Sequence, residues 1–328
     1  MKTGKRPFTT LVSLLFSLLV IVYIVWRTDW TAVQDTFASL NWVWLLLALF
    51  VFLINYVLRT IRFQLLLYSQ HIPFYHLLSV ISLYGMYNYL LPAKSGEISY
   101  PILLKQRLSI PLSESVSTLV VARFFDFAAI ALFLPVVLIL FWQDLPAWLT
   151  ISSLIFSAIM YTATAAGRWL LRRTVTSSFV PTMAENGSWV AKLRHTLQNV
   201  LVGLRLIDEK DCYWQLLSLT IGIWLCVYTN FFLIVLSMGY LMGYIQIIVV
   251  SIMMVPLTLL PFQGVANLGT HEVGWVTAFR LFGYSETAAL NIAVGSHAIL
   301  LLFVLCLGAG GFLLGQISPK QVTDEKIG

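Results

Sequence analysis

The sequence predicts an all-α integral membrane protein with about six full spans and two re-entrant helical hairpins, arranged as an inverted internal repeat. Three observations lead to this prediction. Hydrophobic residues make up 59% of the 328 residues and charged residues 10%, whereas soluble domains carry about 25% charged residues. The hydrophobic residues are gathered in separate runs. Two of these runs end in Leu-Leu-Pro followed by glycine and glutamate, in "LLPAKSGE" and "LLPFQGVANLGTHE".

Eight apolar runs are candidates to enter the bilayer, since a transmembrane helix needs about 20 apolar residues. The runs lie at about 8–26, 42–58, 75–92, 116–141, 148–167, 213–237, 242–261 and 286–316. The first run follows Lys2, Lys5 and Arg6, and no small-residue cleavage site comes after it. We therefore interpret it as a first span rather than a signal peptide.

The distribution of lysine and arginine indicates which runs cross, because cytoplasmic loops collect these residues. If all eight runs cross from a cytoplasmic amino terminus, 7 basic residues lie inside and 12 outside. If 75–92 and 242–261 enter and turn back, 17 lie inside, only Arg27 and Arg280 lie outside, and Arg123 lies within a span. The rule favours a re-entrant 75–92. It does not decide 242–261, because a full crossing there still gives 16 against 3.

The spacing of the runs predicts the inverted repeat. Runs that start at 42, 75 and 116 reappear at 213, 242 and 286, and Pro92 reappears as Pro261 at an offset of 169. The first trio starts outside and the second inside, so the halves at 42–141 and 213–316 are inverted within one polytopic domain, 1–328. Many transporters have this arrangement. A chance recurrence of Leu-Leu-Pro in a leucine-rich chain is the alternative.

The interruptions of the apolar runs predict a polar cavity. Irregular backbone persists inside a bilayer only where it is buried in protein or lines a wet cavity. Proline and glycine create such backbone here, at Pro92 and Gly96 in the first half and at Gly269 in the second. The ionisable residues that would then face the cavity are Lys94, Glu97, His271 and Glu272. A solvated loop is the alternative for this region.

The stretch "RFFD" places Arg123 and Asp126 inside the run 116–141. Their i, i+3 spacing puts both side chains on one helix face, and both need partners because a lone buried charge is costly. The pair is either a salt bridge between helices or a charged cavity wall offered to a phosphate, and both interpretations stay open. Arg59 and Arg62 have the same spacing at the end of a span, where we expect them to snorkel to the cytoplasmic headgroups.

Three stretches, "LLPAKSGEISYPILLKQ", "RFFD" and "LPFQGVANLGTHE", resemble the signature regions of the membrane family typified by the flippase half of lysylphosphatidylglycerol synthase. The resemblance covers nearly the whole chain. Members tend to show Pro, two residues on an Arg, then Gly-Glu, and these places are filled here by Pro92, Lys94, Gly96 and Glu97. In the second half a family Gly-Gly-x-Gly-x-x-Glu pattern begins at Ala266, so that Asn267 departs from glycine.

The resemblance implies translocation of a polar lipid between leaflets of the cytoplasmic membrane, without a cofactor. It implies a charged phospholipid or polyprenyl-linked lipid as substrate and a lipid-modifying enzyme as partner. Because the chain ends shortly after its last run, we expect a stand-alone member without the synthase domain. The implied substrate-binding residues are Lys94, Gly96, Glu97, Arg123, Asp126, Asn267, Gly269, His271 and Glu272.

The positions of the charged residues argue against an enzyme and against a nucleic-acid-binding protein. An enzyme acting on lipid phosphates would show clustered acids or a nucleophile with a base, whereas Glu97, Asp126 and Glu272 lie on separate segments. We therefore expect no enzymatic activity and no metal. Basic residues are scattered between apolar runs, which argues against nucleic acid and favours contact with an anionic leaflet. An ion-coupled small-solute transporter and an accessory role in envelope glycolipid synthesis stay open.

The longest polar stretch, 168–212, predicts a cytoplasmic linker with an interfacial helix. Within "SWVAKLRHTLQNVLVGLRLI" the apolar residues recur every three or four positions, with basic residues on the other faces. A connector packed against its own spans is the alternative. We expect both chain termini to be cytoplasmic, as the charge counts indicate.

The charge counts predict that Lys105 and Ser188 both face the cytoplasm. Single cysteines at these positions, in a background without the three native cysteines, should resist a membrane-impermeant thiol reagent in intact cells and react after permeabilisation. A cysteine at Arg280, predicted to lie outside, serves as the positive control. Labelling of Lys105→Cys in intact cells would contradict the re-entrant path of 75–92.

Overall fold

A computed structural model of the chain describes residues 22, 26, 28–68, 72–92, 95–141, 147–174, 212–259 and 264–317. The described residues form helices and connecting turns with no strand among them, which confirms the all-α prediction. Four predictions concern residues outside the described ones, or almost wholly outside them. These are the first span at 8–26, Lys94, Pro261 and the interfacial helix of the 168–212 linker.

The helices are numbered here in chain order. They are α1 (Trp30–Ala38), α2 (Trp42–Leu66), α3 (Phe74–Leu90), α4 (Ser99–Leu108), α5 (Leu112–Phe141), α6 (Ala147–Thr174), α7 (Tyr213–Ser237), α8 (Tyr244–Leu259), α9 (Thr270–Leu281) and α10 (Glu286–Ile317). A short 3-10 turn precedes α4 at Ser95–Ile98, and another precedes α9 at Val265–Asn267.

Four of the described helices, α2, α5, α7 and α10, are long and apolar enough to cross a membrane. They correspond to four of the six predicted spans. A fifth prediction, 148–167, falls within α6, whose described apolar part is the shorter Thr150–Ala163; α6 continues to Thr174, into the predicted linker. The chain is thus a multi-pass membrane protein, and the total of six spans stays a prediction.

The two halves repeat the same order of elements. Each has a long helix, a short helix, a 3-10 turn, a second short helix and a final long helix, α2 to α5 in one half and α7 to α10 in the other. At 1.5 Å per residue, the 17-residue α3 is about 26 Å long and the 16-residue α8 about 24 Å. Both are shorter than the bilayer core of about 30 Å. The lengths suit the predicted hairpins, whose re-entrant path stays a prediction.

Proline and glycine account for the break in the first half. Helix α3 ends at Leu90, and Leu91 is extended with ψ 135°, as expected for a residue before proline. The 3-10 turn at Ser95–Ile98 then lies close against α3. A Cβ on Gly96 would be 2.3 Å from Asn88 Cα and 2.4 Å from the Tyr87 carbonyl oxygen, which is too close for any side chain. Only glycine permits this close approach of the 3-10 turn to α3.

The break in the second half uses positive φ angles. Gly269, immediately before α9, has φ +91°, which glycine adopts readily. Ala266 and Asn267 have φ +53° and +60°, in the left-handed region that residues with a Cβ adopt less easily. They stand at the two places where the family resemblance implies glycine, and a left-handed φ is a conformation that glycine adopts more easily.

Two buried asparagines join the long helices α2 and α7. Asn55 of α2 donates to the Ile223 carbonyl at 2.8 Å, and Asn230 of α7 donates to the Ala48 carbonyl at 2.8 Å. Each half thus supplies an amide to the backbone of the other, a type of polar contact that joins membrane helices. The short helix α3 in turn packs against α10 of the second half, so the halves interlock and form a shared interior.

Candidate functional site

A cavity of about 480 Å³ lies between the two halves. Five of the residues predicted from the sequence line it, namely Glu97, Arg123, Asp126, Asn267 and His271. Gly96, Gly269 and Glu272 are not among its lining residues and lie in the turns and helix beside it. The structure therefore brings most of the predicted residues of both halves to one space.

The first-half wall of the cavity is an ionic network centred on Asp126. Its Oδ1 is 2.6 Å from Arg62 Nη1, and its Oδ2 is 3.2 Å from Arg123 Nη1. Arg123 also forms an ion pair with Glu97 and donates from Nη2 to the Tyr84 hydroxyl at 2.9 Å. Tyr84 in turn donates to Glu97 Oε2 at 2.9 Å. The network joins α2, α3, the first 3-10 turn and α5.

The snorkelling prediction for Arg62 is wrong. Arg62 is 1% exposed. Its guanidinium points inward to Asp126 and donates from Nη1 to the Thr220 hydroxyl at 3.3 Å. The buried Asp126 carboxylate needs a cation as partner, because an unpaired buried charge is strongly destabilising. Arg62 supplies that cation and therefore does not reach the headgroups. Arg59 also turns to the protein, where its Nε donates to Asn55 Oδ1 at 2.7 Å.

The two interpretations of "RFFD" both hold in part. Arg123 and Asp126 are bridged, as the i, i+3 spacing predicts, but each has a second partner on another element. The Asp126 carboxylate is buried between two guanidiniums, whereas the Arg123 side chain is 35% exposed and lines the cavity. Asp126 therefore acts as the anchor, and Arg123 is a charged side chain that the first half exposes to the cavity.

The second-half site contains a histidine that the sequence analysis missed. His297 of α10 pairs through Nδ1 with Glu272 Oε1, and both side chains are 4% exposed. Its Nε2 donates to the Ala266 carbonyl at 2.8 Å, and Glu272 Oε2 accepts from the Gly269 N–H at 2.7 Å. Both ring nitrogens of His297 thus already have partners. Among the described residues, no three His, Cys, Asp or Glu side chains are grouped as metal ligands.

His271 lies between this pair and the cavity. Its ring stacks on Trp275 at a centroid distance of 5.0 Å and an interplanar angle of 20°, and its centroid is 4.7 Å from that of His297. Because His271 lines the cavity and His297 does not, the order from the cavity inward is His271, His297, Glu272.

The two ion pairs occupy equivalent places in the repeat. Arg123 comes eleven residues after the start of α5 at Leu112, and His297 comes eleven residues after the start of α10 at Glu286. Each pairs with a glutamate that follows the break of its own half, Glu97 or Glu272. The repeat therefore has one acid and one base per half in matching positions.

Three residues that line the cavity each have a buried polar atom without a hydrogen-bond partner in the described part of the chain. Trp224 Nε1, Ser251 Oγ and the Tyr89 hydroxyl are buried, and none has a hydrogen-bond partner among the described residues. Buried polar atoms are normally paired, so such a group points to a missing ligand or water. The rest of the wall is largely apolar, with Phe127, Ile130, Val227, Phe231, Met254, Trp275 and Leu300.

Replacement of Asp126 by asparagine should destabilise the protein. The buried Arg62 would lose its carboxylate partner, and breaking a buried ion pair costs about 3–5 kcal/mol. Glu97→Gln is the matched control with a smaller expected loss, because the Glu97 side chain is 23% exposed. Thermal unfolding in detergent would compare both variants with the wild type. An Asp126→Asn variant as stable as the wild type would contradict the anchoring role.

The comparisons with known proteins agree with this architecture. The family model described as the lysylphosphatidylglycerol synthase TM region matches residues 10–308. No curated protein matches the chain. The family match covers both halves and every residue that lines the cavity. The chain therefore belongs to the lysylphosphatidylglycerol synthase transmembrane family.

Proposed function

We propose that the protein translocates a polar or charged lipid between the leaflets of the cytoplasmic membrane. The observation that carries the proposal is the cavity between the halves, which is lined both by charged side chains and by aromatic and aliphatic ones. A lipid has the same two parts, a polar headgroup and apolar chains. Membership of a family of membrane lipid proteins supports this class of substrate.

The cavity has the size and the donors that a headgroup needs. Its volume of about 480 Å³ falls within the roughly 300–1,000 Å³ of small-molecule sites. Arg123 offers a guanidinium, which suits phosphate oxygens. Trp224 and Ser251 also line the cavity, and each has a buried donor without a partner among the described residues, Nε1 and Oγ, which a small movement of the side chain would present to the headgroup. We infer that a phosphate-containing headgroup binds among these three side chains, with Lys94 as a further cation for the phosphate.

The acids of the cavity have a different role in the proposal. Glu97 and Asp126 hold Arg123 in place and neutralise it when no lipid is bound. When a phosphate approaches Arg123, Glu97 is the partner that can be displaced, because its side chain is more exposed than that of Asp126. A cationic group on the same lipid could then pair with the released Glu97 carboxylate.

The proposal assigns no covalent chemistry to the protein. A charged phospholipid or a polyprenyl-linked lipid would be made by a separate lipid-modifying enzyme and moved by this chain. The repeated order of elements in the halves, together with the inverted orientation predicted from the charge counts, supports alternating access, in which one half rocks against the other around a fixed central site. We expect both termini to lie in the cytoplasm, since the basic residues counted along the sequence favour that side.

Leaflet exchange in reconstituted vesicles tests the proposal. Vesicles of phosphatidylcholine and phosphatidylglycerol would carry trace fluorescent phosphatidylglycerol, phosphatidylcholine or polyprenyl phosphate. An impermeant reductant added outside removes the outer-leaflet signal, and loss of the inner-leaflet signal as well would report exchange. We expect Trp224→Phe and Ser251→Ala to slow exchange by about tenfold or more, since a hydrogen bond to a charged group contributes about 1.5–3 kcal/mol. Both variants should stay folded, because neither atom bonds another part of the described chain.

Trp42→Phe is the matched control, because Trp42 is 66% exposed and does not line the cavity. It should exchange lipid at the wild-type rate. Glu97→Gln should also slow exchange, because the amide cannot balance Arg123 between lipids. If none of the three lipids exchanges faster than in protein-free vesicles, while a labelled small solute accumulates, the protein is a solute transporter instead.

A further inference from the structure

The equivalent ion pairs of the two halves differ in one chemical respect. The base in the first half is Arg123, which keeps its charge at all physiological pH values. The base in the second half is His297, and histidine gains or loses a proton near neutral pH. The repeat therefore places a permanent cation at one position and a proton-dependent cation at the matching position.

The hydrogen bonds of His297 fix how many protons the pair holds. Nε2 carries one proton, because it donates to the Ala266 carbonyl. A second proton lies between Nδ1 and Glu272 Oε1. Whether that proton is on nitrogen or on oxygen, the pair as a whole is neutral. Its loss would leave one negative charge on two side chains that are each 4% exposed, and an uncompensated buried charge is strongly destabilising.

The pair has titratable neighbours that line the cavity. Two titratable side chains face the pair from neighbouring helices, His271 of α9 and Tyr89 of α3, whose ring centroid is 5.9 Å from that of His297. Both line the cavity. His271 has a second ring nitrogen to receive and pass a proton, and its Nε2 is 3.5 Å from the Ser296 hydroxyl.

We propose that the His297–Glu272 pair is a proton-binding site, loaded from the cavity through His271, and that its loading and release drive lipid translocation. The coupling rests on the proposed function, whereas the proton site does not. When the pair releases its proton to water in the cavity, it becomes a buried anion, which destabilises this conformation. The halves must then rearrange, or a cation must enter, before the next proton binds.

Proton binding is measured first, on the wild-type protein and without a lipid assay. The chain has five histidines, so ¹⁵N-histidine-labelled protein in nanodiscs gives few signals, and His297→Gln assigns one of them. Spectra at acid and at alkaline pH are compared. We expect the Nδ1 signal of His297 to differ between them, and Glu272→Gln, which removes the partner of the shared proton, to alter that difference. A His297 signal that is the same in both spectra would overturn the proton site.

Coupling is measured next, in the phosphatidylglycerol vesicles with an imposed pH gradient. For one proton per lipid, a gradient of about one pH unit should bias the distribution of fluorescent phosphatidylglycerol between leaflets by up to about tenfold. In His297→Arg, which copies the first-half chemistry, the bias should disappear. His76→Gln, a histidine on α3 that does not line the cavity, should keep it.

The two proposals fail in different ways. If wild-type protein exchanges lipid and the distribution between leaflets does not depend on the pH gradient, the coupling is wrong and lipid translocation is still supported. Proton movement into the vesicles that depends on His297, without exchange of any lipid, would support the proton site and overturn lipid translocation. Should His297→Arg not fold, His297→Gln provides the same test, because it too removes the exchangeable proton.

Discussion

The carboxylate of Asp126 is the interaction on which the first-half site depends. It binds Arg62 of α2 and Arg123 of its own helix α5, and so fixes two guanidiniums with one buried group. Arg123 is thereby aimed at the cavity, where it meets Glu97. Arg62 in turn touches Thr220 of α7. One buried acid thus positions a ligand-facing charge and links the first half to the second.

A second constraint acts on the breaks, because their backbone must be satisfied within the protein. In the first half Gly96 lets the 3-10 turn lie close against α3. In the second half Ala266, Asn267 and Gly269 have positive φ angles in the turn before α9. Glu272 caps the start of α9 through the Gly269 N–H, and His297 reaches the Ala266 carbonyl. Glu272 and His297 therefore stabilise the turn of the second half through the same side chains that form the buried pair.

The sequence predicted the helical class, the order of the long apolar segments and five of the residues that line the cavity. Composition, the Leu-Leu-Pro breaks and local spacing can all be read along the chain. The sequence analysis missed the inward turn of Arg62 and the role of His297. Their partners lie far along the chain, at Asp126 and Glu272, and local spacing carries no sign of contacts between helices. A histidine inside the apolar run 286–316 was nevertheless a usable signal, since ionisable residues within spans are costly and usually functional.

The most direct test of the account is to find where a lipid headgroup binds. An anionic phospholipid with a photoreactive headgroup would be activated on the protein in nanodiscs, and the labelled peptides mapped by mass spectrometry. The account predicts adducts on α7 and α8 near Trp224 and Ser251, lost on competition with unlabelled anionic lipid. Adducts confined to outward-facing positions, such as Ile139 and Leu313, which are 75% and 61% exposed, would contradict a headgroup site between the halves.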